Sequence, residues 1–185
     1  MSEQFQANAF EWPEQRVALF VDTQNLYHSA RENAGRNVDY ETLLTAAARG
    51  RRMVQANAYA VEREGDSTAF GFITKLTALG YRVNRRKLRV HRADDQGRTL
   101  LEGDWDMGIA ADIVRAWDSF DVLALASGDG DFVPLVKLVQ EQGKRVEVMA
   151  IRQTVAQNLL DAVDRFIDLA DLPGIFIEPR PADDE

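Results

Sequence analysis

The chain has 185 residues, 45% of them hydrophobic, which is enough for one buried core and favours a single domain. It holds 30 acidic against 22 basic side chains, a formal net charge of −8, so the whole molecule repels polyanions unless its charges are segregated. Cysteine is absent and histidine occurs only twice, which excludes disulfides, thiolate nucleophiles and cysteine-ligated metal centres and leaves oxygen as the expected metal ligand.

Residues 1–15 read as a polar extension without the basic and then apolar pattern of a secretory signal. No segment approaches the roughly 20 apolar residues of a membrane helix, so a soluble, cytoplasmic protein is expected. The domain proper is expected over 16–172. It opens with Arg16-Val-Ala-Leu-Phe-Val21, a continuous apolar run that stops at Asp22, the pattern of a strand buried on both faces of a parallel sheet. A helix follows through Leu26 to Glu32, a second over 40–48, and an alternating strand over 53–61. Residues 67–79 carry Phe70, Ile73 and Leu76 at helical spacing, Gly80 stops that helix, and 81–88 returns to an extended pattern before an Asp94-Asp-Gln-Gly97 turn.

Ile109, Ile113 and Trp117 mark a helix over 106–117, followed by the strand Val122-Leu-Ala-Leu-Ala126. A helix over 132–142, a strand over 146–151 and a helix over 155–162 repeat the alternation, and the proline-bearing, acidic tail over 173–185 is expected to be loose. Alternating strands and helices predict an α/β fold: one mostly parallel sheet with helices on both faces.

In such a sheet all strands end on one edge, where the following helices begin and ligands bind. Asp22 ends the first strand, and Asp129 and Asp131 follow the strand 122–126 in Ser127-Gly-Asp-Gly-Asp-Phe132. Asp106 opens its own helix and is expected at the same rim. Carboxylates packed together repel, and a hard cation with oxygen ligands, Mg²⁺ or Mn²⁺, relieves them. Such an ion polarises a phosphoryl oxygen and acidifies water, so phosphodiester hydrolysis is the natural chemistry. Each aspartate also has a plainer reading: Asp22 as a helix cap, Asp129 and Asp131 as capping residues of an ordinary strand-to-helix turn, Asp106 as a first-turn helix residue.

Phe20-Val-Asp-Thr-Gln-Asn-Leu26, Gly103-Asp-Trp-Asp106 with Asp112, and Ser127-Gly-Asp-Gly-Asp-Phe132 resemble the successive motifs of NYN domains, which include the LabA-like bacterial group and belong with the PIN-like nucleases. The resemblance spans about residues 16–151. It implies a Rossmann-like, PIN-like sheet and a metal-dependent ribonuclease site, with Asp22, Asn25, Asp106, Asp129 and Asp131 on the catalytic positions and the four aspartates holding the metal. Asn25 would orient substrate or a ligated water, and Ser127 would contact substrate. Asp112 matches a frequent family aspartate but ranks below the others, since it lies about 240° round the helix from Asp106 at about 100° per residue. The family often carries a lysine before the Gly-x-Asp of the second motif, where this chain has Glu102.

Arg82, Arg85, Arg86, Lys87, Arg89 and Arg92 beside His91 form a basic run in an acidic protein. A charge run is ordinarily a solvated face, yet this segregation is what an RNA-binding flank needs. Arg49, Arg51 and Arg52 would extend it. His28 and His91 read as surface or packing residues, and Trp12, Trp105 and Trp117 as packing residues, with Trp105 between two aspartates also placed to line the cleft. Two alternatives stay open: a catalytically weak or inactive RNA-binding or regulatory module, supported by the missing lysine, and, less strongly, a phosphatase or Toprim-like enzyme. RNA is the expected partner, no membrane is expected, and self-association is left open.

Overall fold

The computed structural model describes residues 12–62, 67–87, 89, 90, 101, 102 and 105–179, and of Lys87 and Arg89 it describes the backbone. The expected turn at 94–97, His91, Arg92 and Asp104 lie outside the described residues. In chain order the elements are β1 (Arg16–Asp22), α1 (Thr23–Ala34), β2 (Asn37–Val38), α2 (Tyr40–Ala48), β3 (Arg52–Glu62), α3 (Ser67–Ala78), β4 (Arg82–Lys87), β5 (Arg89–Val90), β6 (Leu101–Glu102), α4 (Asp106–Ala116), β7 (Val122–Ala126), α5 (Val133–Glu141), β8 (Arg145–Ala150), α6 (Gln157–Ala162), β9 (Arg165–Asp168) and β10 (Phe176–Ile177).

Six strands form one sheet in the order β4-β3-β1-β7-β8-β9, and every neighbouring pair is parallel. The chain runs outward from β1 through β3 to β4, then returns to the other side of β1 and continues through β7 to β9. The direction of winding therefore reverses between β1 and β7, and at such a switch point the two following loops part and leave a crevice at the strands' carboxyl ends.

Strand alternation divides the core in two. Val17, Leu19 and Val21 pack with Leu26 and Ala30 of α1, Leu43 and Ala47 of α2, and Leu76 of α3. On the other face, Ala18 and Phe20 with Leu123, Leu125, Val146 and Val148 meet Ile109 and Ile113 of α4, Val136 and Val139 of α5, and Leu159 of α6. The unbroken apolar runs of β1 and β7 follow from this burial on both sides. No helix among the described residues is long and apolar enough to cross a membrane.

Three features depart from the sequence reading. β9 is an added edge strand in which only Ile167 is buried, so its four residues make no apolar run. The helix expected from 155 begins at Gln157: Ala156 is its N-cap, with extended backbone at ψ 134°, and its N–H donates to the carbonyl of Gly128 at 2.9 Å. The stretch after Pro173, expected to be loose, is packed down: Ile175 is 1% exposed and its carbonyl accepts from Asp39 N–H at 2.7 Å, and Phe176–Ile177 pair antiparallel with β2. One well-placed isoleucine anchors it; residues 180–185 lie outside the described residues.

Arg51 does not extend a basic surface. Its side chain is 1% exposed and forms a bidentate pair with Glu147 of β8, itself 0% exposed, at 3.0 and 2.7 Å. The same guanidinium donates to the carbonyls of Ala47 and Ala48, which end α2 and lack helical partners. Arg145 Nε adds a second cation contact to Glu147 at 3.0 Å. Removing one member of a buried pair strands the other without compensation. Glu147→Gln is therefore expected to destabilise the fold by about 3–5 kcal/mol, and Arg51→Met with Glu147→Leu to recover most of that loss. Urea denaturation of the three proteins checks both halves.

Candidate metal centre

Asp22 is the last residue of β1 and the N-cap of α1. Its Oδ1 accepts from Asn25 N–H at 3.0 Å and its Oδ2 from the Ser127 hydroxyl at 3.4 Å. The plainer reading of Asp22 as a cap is thus correct as local structure, and the same side chain also reaches across the switch point. Asn25 makes the matching contact: its Oδ1 accepts from Gly128 N–H at 2.9 Å. Thr23 ties this corner to β3 through a 2.7 Å bond from its hydroxyl to the Tyr59 carbonyl.

Ser127 is fully buried directly after β7, and its Oγ accepts from Asp129 N–H at 3.3 Å. Asp129 caps the 3₁₀ turn Gly130–Phe132, its Oδ1 accepting from Asp131 N–H at 2.9 Å. The glycines of this loop answer to close packing. A Cβ on Gly128 would stand 3.2 Å from Val155 Cα, and one on Gly130 would meet Asn158 Oδ1 at 2.5 Å and Ala156 Cβ at 3.0 Å. Residues 154–158 thus press closely on the acidic loop. Nothing in the sequence singled out Ala156 and Asn158, since their role depends on the β8–α6 connection folding back on a distant loop.

Asp106 is the first residue of α4, and Trp105 before it offers no capping side chain. Carboxylate oxygens of Asp106, Asp129 and Asp131 all lie within 4.8 Å of one another; the first two are half-buried and the third is exposed. These three therefore come together as the strand-end argument expects. Asp22 stands outside that set, two hydrogen bonds behind it: its Oδ2 accepts from the Ser127 hydroxyl, and Ser127 Oγ accepts from Asp129 N–H.

Asp112 is engaged elsewhere. Its Oδ2 accepts from the Tyr59 hydroxyl at 2.9 Å and its Oδ1 from Arg115 at 2.8 Å. Burial, reinforced by this carboxylate, holds the Tyr59 phenol far above its usual range, so the hydroxyl keeps its proton and donates.

The described part of the basic run forms the edge strand β4, with Arg82, Arg85 and Arg86 exposed. Val83 packs in the core beneath α3, so Arg82, Asn84 and Arg86 share the α4 face and Arg85 the other. The Arg86 guanidinium lies over the Trp105 ring, 5.5 Å from its centroid. Arg89 sits in the two-residue ladder of β5 with β6. His28 is exposed and set edge-on to Tyr27, and Trp12, expected to pack, is instead 61% exposed.

Against known proteins, the profile of the family described as "NYN domain" matches residues 16–171. The "Low amplitude and bright protein LabA" of Synechococcus elongatus is 30% identical over 165 residues, covering 88% of each chain. A crystal structure of a protein of unknown function from Vibrio parahaemolyticus superposes with a TM-score of 0.78 at 30% identity, covering 90% of this chain and 99% of that one.

The stitch across the switch point is testable by itself. Asn25→Ala leaves the Gly128 N–H without its acceptor and is expected to cost about 1–3 kcal/mol, whereas Asn25→Asp keeps an acceptor oxygen and retains most of the stability. Chemical denaturation of both variants at neutral pH measures the difference.

Proposed function

Because the chain belongs to the NYN domain family, a group within the PIN-like nuclease superfamily, we propose that it is a metal-dependent ribonuclease that hydrolyses RNA phosphodiesters at the β1/β7 switch point. The observation that carries this reading is the convergence of Asp106, at the start of α4, with Asp129 and Asp131 of the loop after β7, their carboxylate oxygens within 4.8 Å of one another.

The donor set fits a hard divalent cation. It consists of carboxylate oxygens without sulfur or imidazole, the chemistry that suits Mg²⁺ or Mn²⁺. Asp106, Asp129 and Asp131 would hold the ion, and Asp22, behind Ser127, contributes the fourth carboxylate of the site. When bound, such an ion polarises a phosphoryl oxygen and lowers the pKa of a coordinated water.

The chain's own side chains do the rest. Asn25 holds the Gly128 amide and so fixes the depth of the acidic loop; the Ser127 hydroxyl links the Asp22 carboxylate to the Asp129 backbone amide. Arg82, Arg85 and Arg86, with Lys87 and Arg89 along the same run, give the RNA backbone a cationic track that the net charge of −8 denies it elsewhere. Asp112, held by Tyr59 and Arg115, braces α4 against β3 in this scheme.

A second reading, an RNA-binding or regulatory module without turnover, draws on Glu102, which stands where the family often has a lysine. Incubating the protein with labelled single-stranded and structured RNA in Mg²⁺, Mn²⁺ or EDTA separates the two. Cleavage that requires metal and falls to the EDTA level in Asp129→Asn supports the nuclease; RNA binding with no metal-dependent cleavage supports the module.

Metal binding has its own readout. Mn²⁺ at about 100 times its Kd is expected to add about 2.7 kcal/mol of stability, a rise in Tm of about 5–10 °C for a domain of this size. Asp129→Asn is expected to lose most of that rise, and thermal melts with and without Mn²⁺ show whether it does.

A further inference from the structure

Arg86 differs from the other described arginines of β4 in where the sheet register puts it. Asp22 pairs with Tyr59 of β3, and Tyr59 pairs with Asn84 of β4, so these three stand level across the sheet. Arg82 lies two residues behind that level and Arg86 two residues beyond it, toward the carboxyl rim, about 13 Å apart along the strand. Arg85 points to the opposite face, where its neighbour Val83 enters the α3 core. Of the three exposed arginines, Arg86 thus combines the rim level with the α4 face, the face from which Asp106 opens its helix.

Its support is fixed. The Trp105 indole donates from Nε1 to the Ala60 carbonyl at 3.0 Å, and Ala60 is the residue before Arg86's own partner in β3. The Tyr59 ring meets the indole edge-on at 5.2 Å. Below it, Gly108 is packed so closely that a Cβ there would stand 2.6 Å from an indole carbon. The indole has little room to shift, and it belongs to the residue immediately before Asp106. A guanidinium carried on an aromatic face loses little further freedom when its N–H groups pair with a planar or tetrahedral oxyanion.

We propose that Arg86, seated on Trp105, is a substrate-binding residue that fixes an RNA phosphate at the rim beside the acidic set, with Trp105 as its positioning residue. The inference rests on the ribonuclease reading above and adds to it that the arginines of β4 are not equivalent. Arg82 supplies diffuse attraction to the backbone, whereas Arg86 sets the register of the strand against Asp106, Asp129 and Asp131. Losing Arg82 therefore weakens capture, and losing Arg86 misplaces the reacting phosphate even when RNA is saturating.

The test compares Arg86→Ala, Arg86→Lys and Arg82→Ala in single-turnover cleavage of a single-stranded RNA with Mn²⁺. Arg82→Ala is expected to raise the half-saturating RNA concentration with the limiting rate preserved. Arg86→Ala is expected to lower the limiting rate about 10- to 100-fold, the loss of one charge-assisted hydrogen bond. Arg86→Lys keeps the charge without the planar fork and is expected to restore affinity but not rate. A second readout does not depend on turnover. In a Trp12→Phe, Trp117→Phe background Trp105 is the remaining tryptophan, and adding the same RNA in EDTA is expected to change its fluorescence in the parent and in Arg82→Ala but not in Arg86→Ala. If Arg86→Ala and Arg82→Ala behave alike in both assays while the parent cleaves, this assignment falls and the nuclease reading stands. If the parent cleaves nothing in Mg²⁺ or Mn²⁺, the nuclease reading falls and this assignment with it.

Discussion

The hydrogen bond from Gly128 N–H to Asn25 Oδ1 joins the two halves of a sheet at the one place where the sheet cannot join itself. β1 and β7 pair in register from Val17↔Val122 to Val21↔Ala126, and then the chains part, one into α1 and one into the acidic loop. A backbone amide beyond the last ladder bond would face a crevice with no strand to receive it. Asn25, placed on the first turn of α1 by the Asp22 cap, receives it instead. From that fixed point the loop's geometry follows: Ser127 stays buried, its oxygen anchors the Asp129 amide, and Asp129 caps the turn that carries Asp131. The loop that carries two of the three carboxylates is thus held by its own backbone, through the Asp129 amide on Ser127 and the Asp131 amide on Asp129.

The molecule gathers charge in two different ways. Between α2 and β8, Glu147 is met by Arg51 on both oxygens and by Arg145 on one, and that charge is neutralised within the fold. Asp106, Asp129 and Asp131 instead bring three carboxylates within 4.8 Å of one another at the carboxyl rim. A carboxylate pair compensated internally can serve architecture alone, whereas a group that gains by taking a cation from solution couples stability to ligand binding. The first is a structural charge; the second is the arrangement on which the proposed metal site draws.

What the sequence discloses, and what it conceals, divides along the same physical lines. β1 and β7 are legible because burial on two faces forces unbroken apolar runs, and the acidic loop is legible because glycines and aspartates crowd directly after one of them. The meeting of Asp106 with Asp129 follows from parallel topology alone. Arg51 misleads because its neighbours Arg49 and Arg52 make it look like part of a surface patch, while its partner lies 96 residues away. β9 and β10 are too short and too sparsely buried to leave a periodic trace. Asp112 sits in a family motif, but helix rotation and the Tyr59 hydroxyl take it away from the cluster, and only the tertiary pairing reveals that partner.

The outer edge of β4 has one more consequence. Among the described residues it has no further strand beside it, and such an edge is a template on which another chain can add a strand of its own. Exposed arginines along it work against stacking of like copies, because two such edges brought together would set cation against cation. The same side chains that suit the edge to a polyanion therefore act as gatekeepers against self-templated aggregation, and a chain stripped of them would be exposed to a hazard of solubility that has no connection with catalysis.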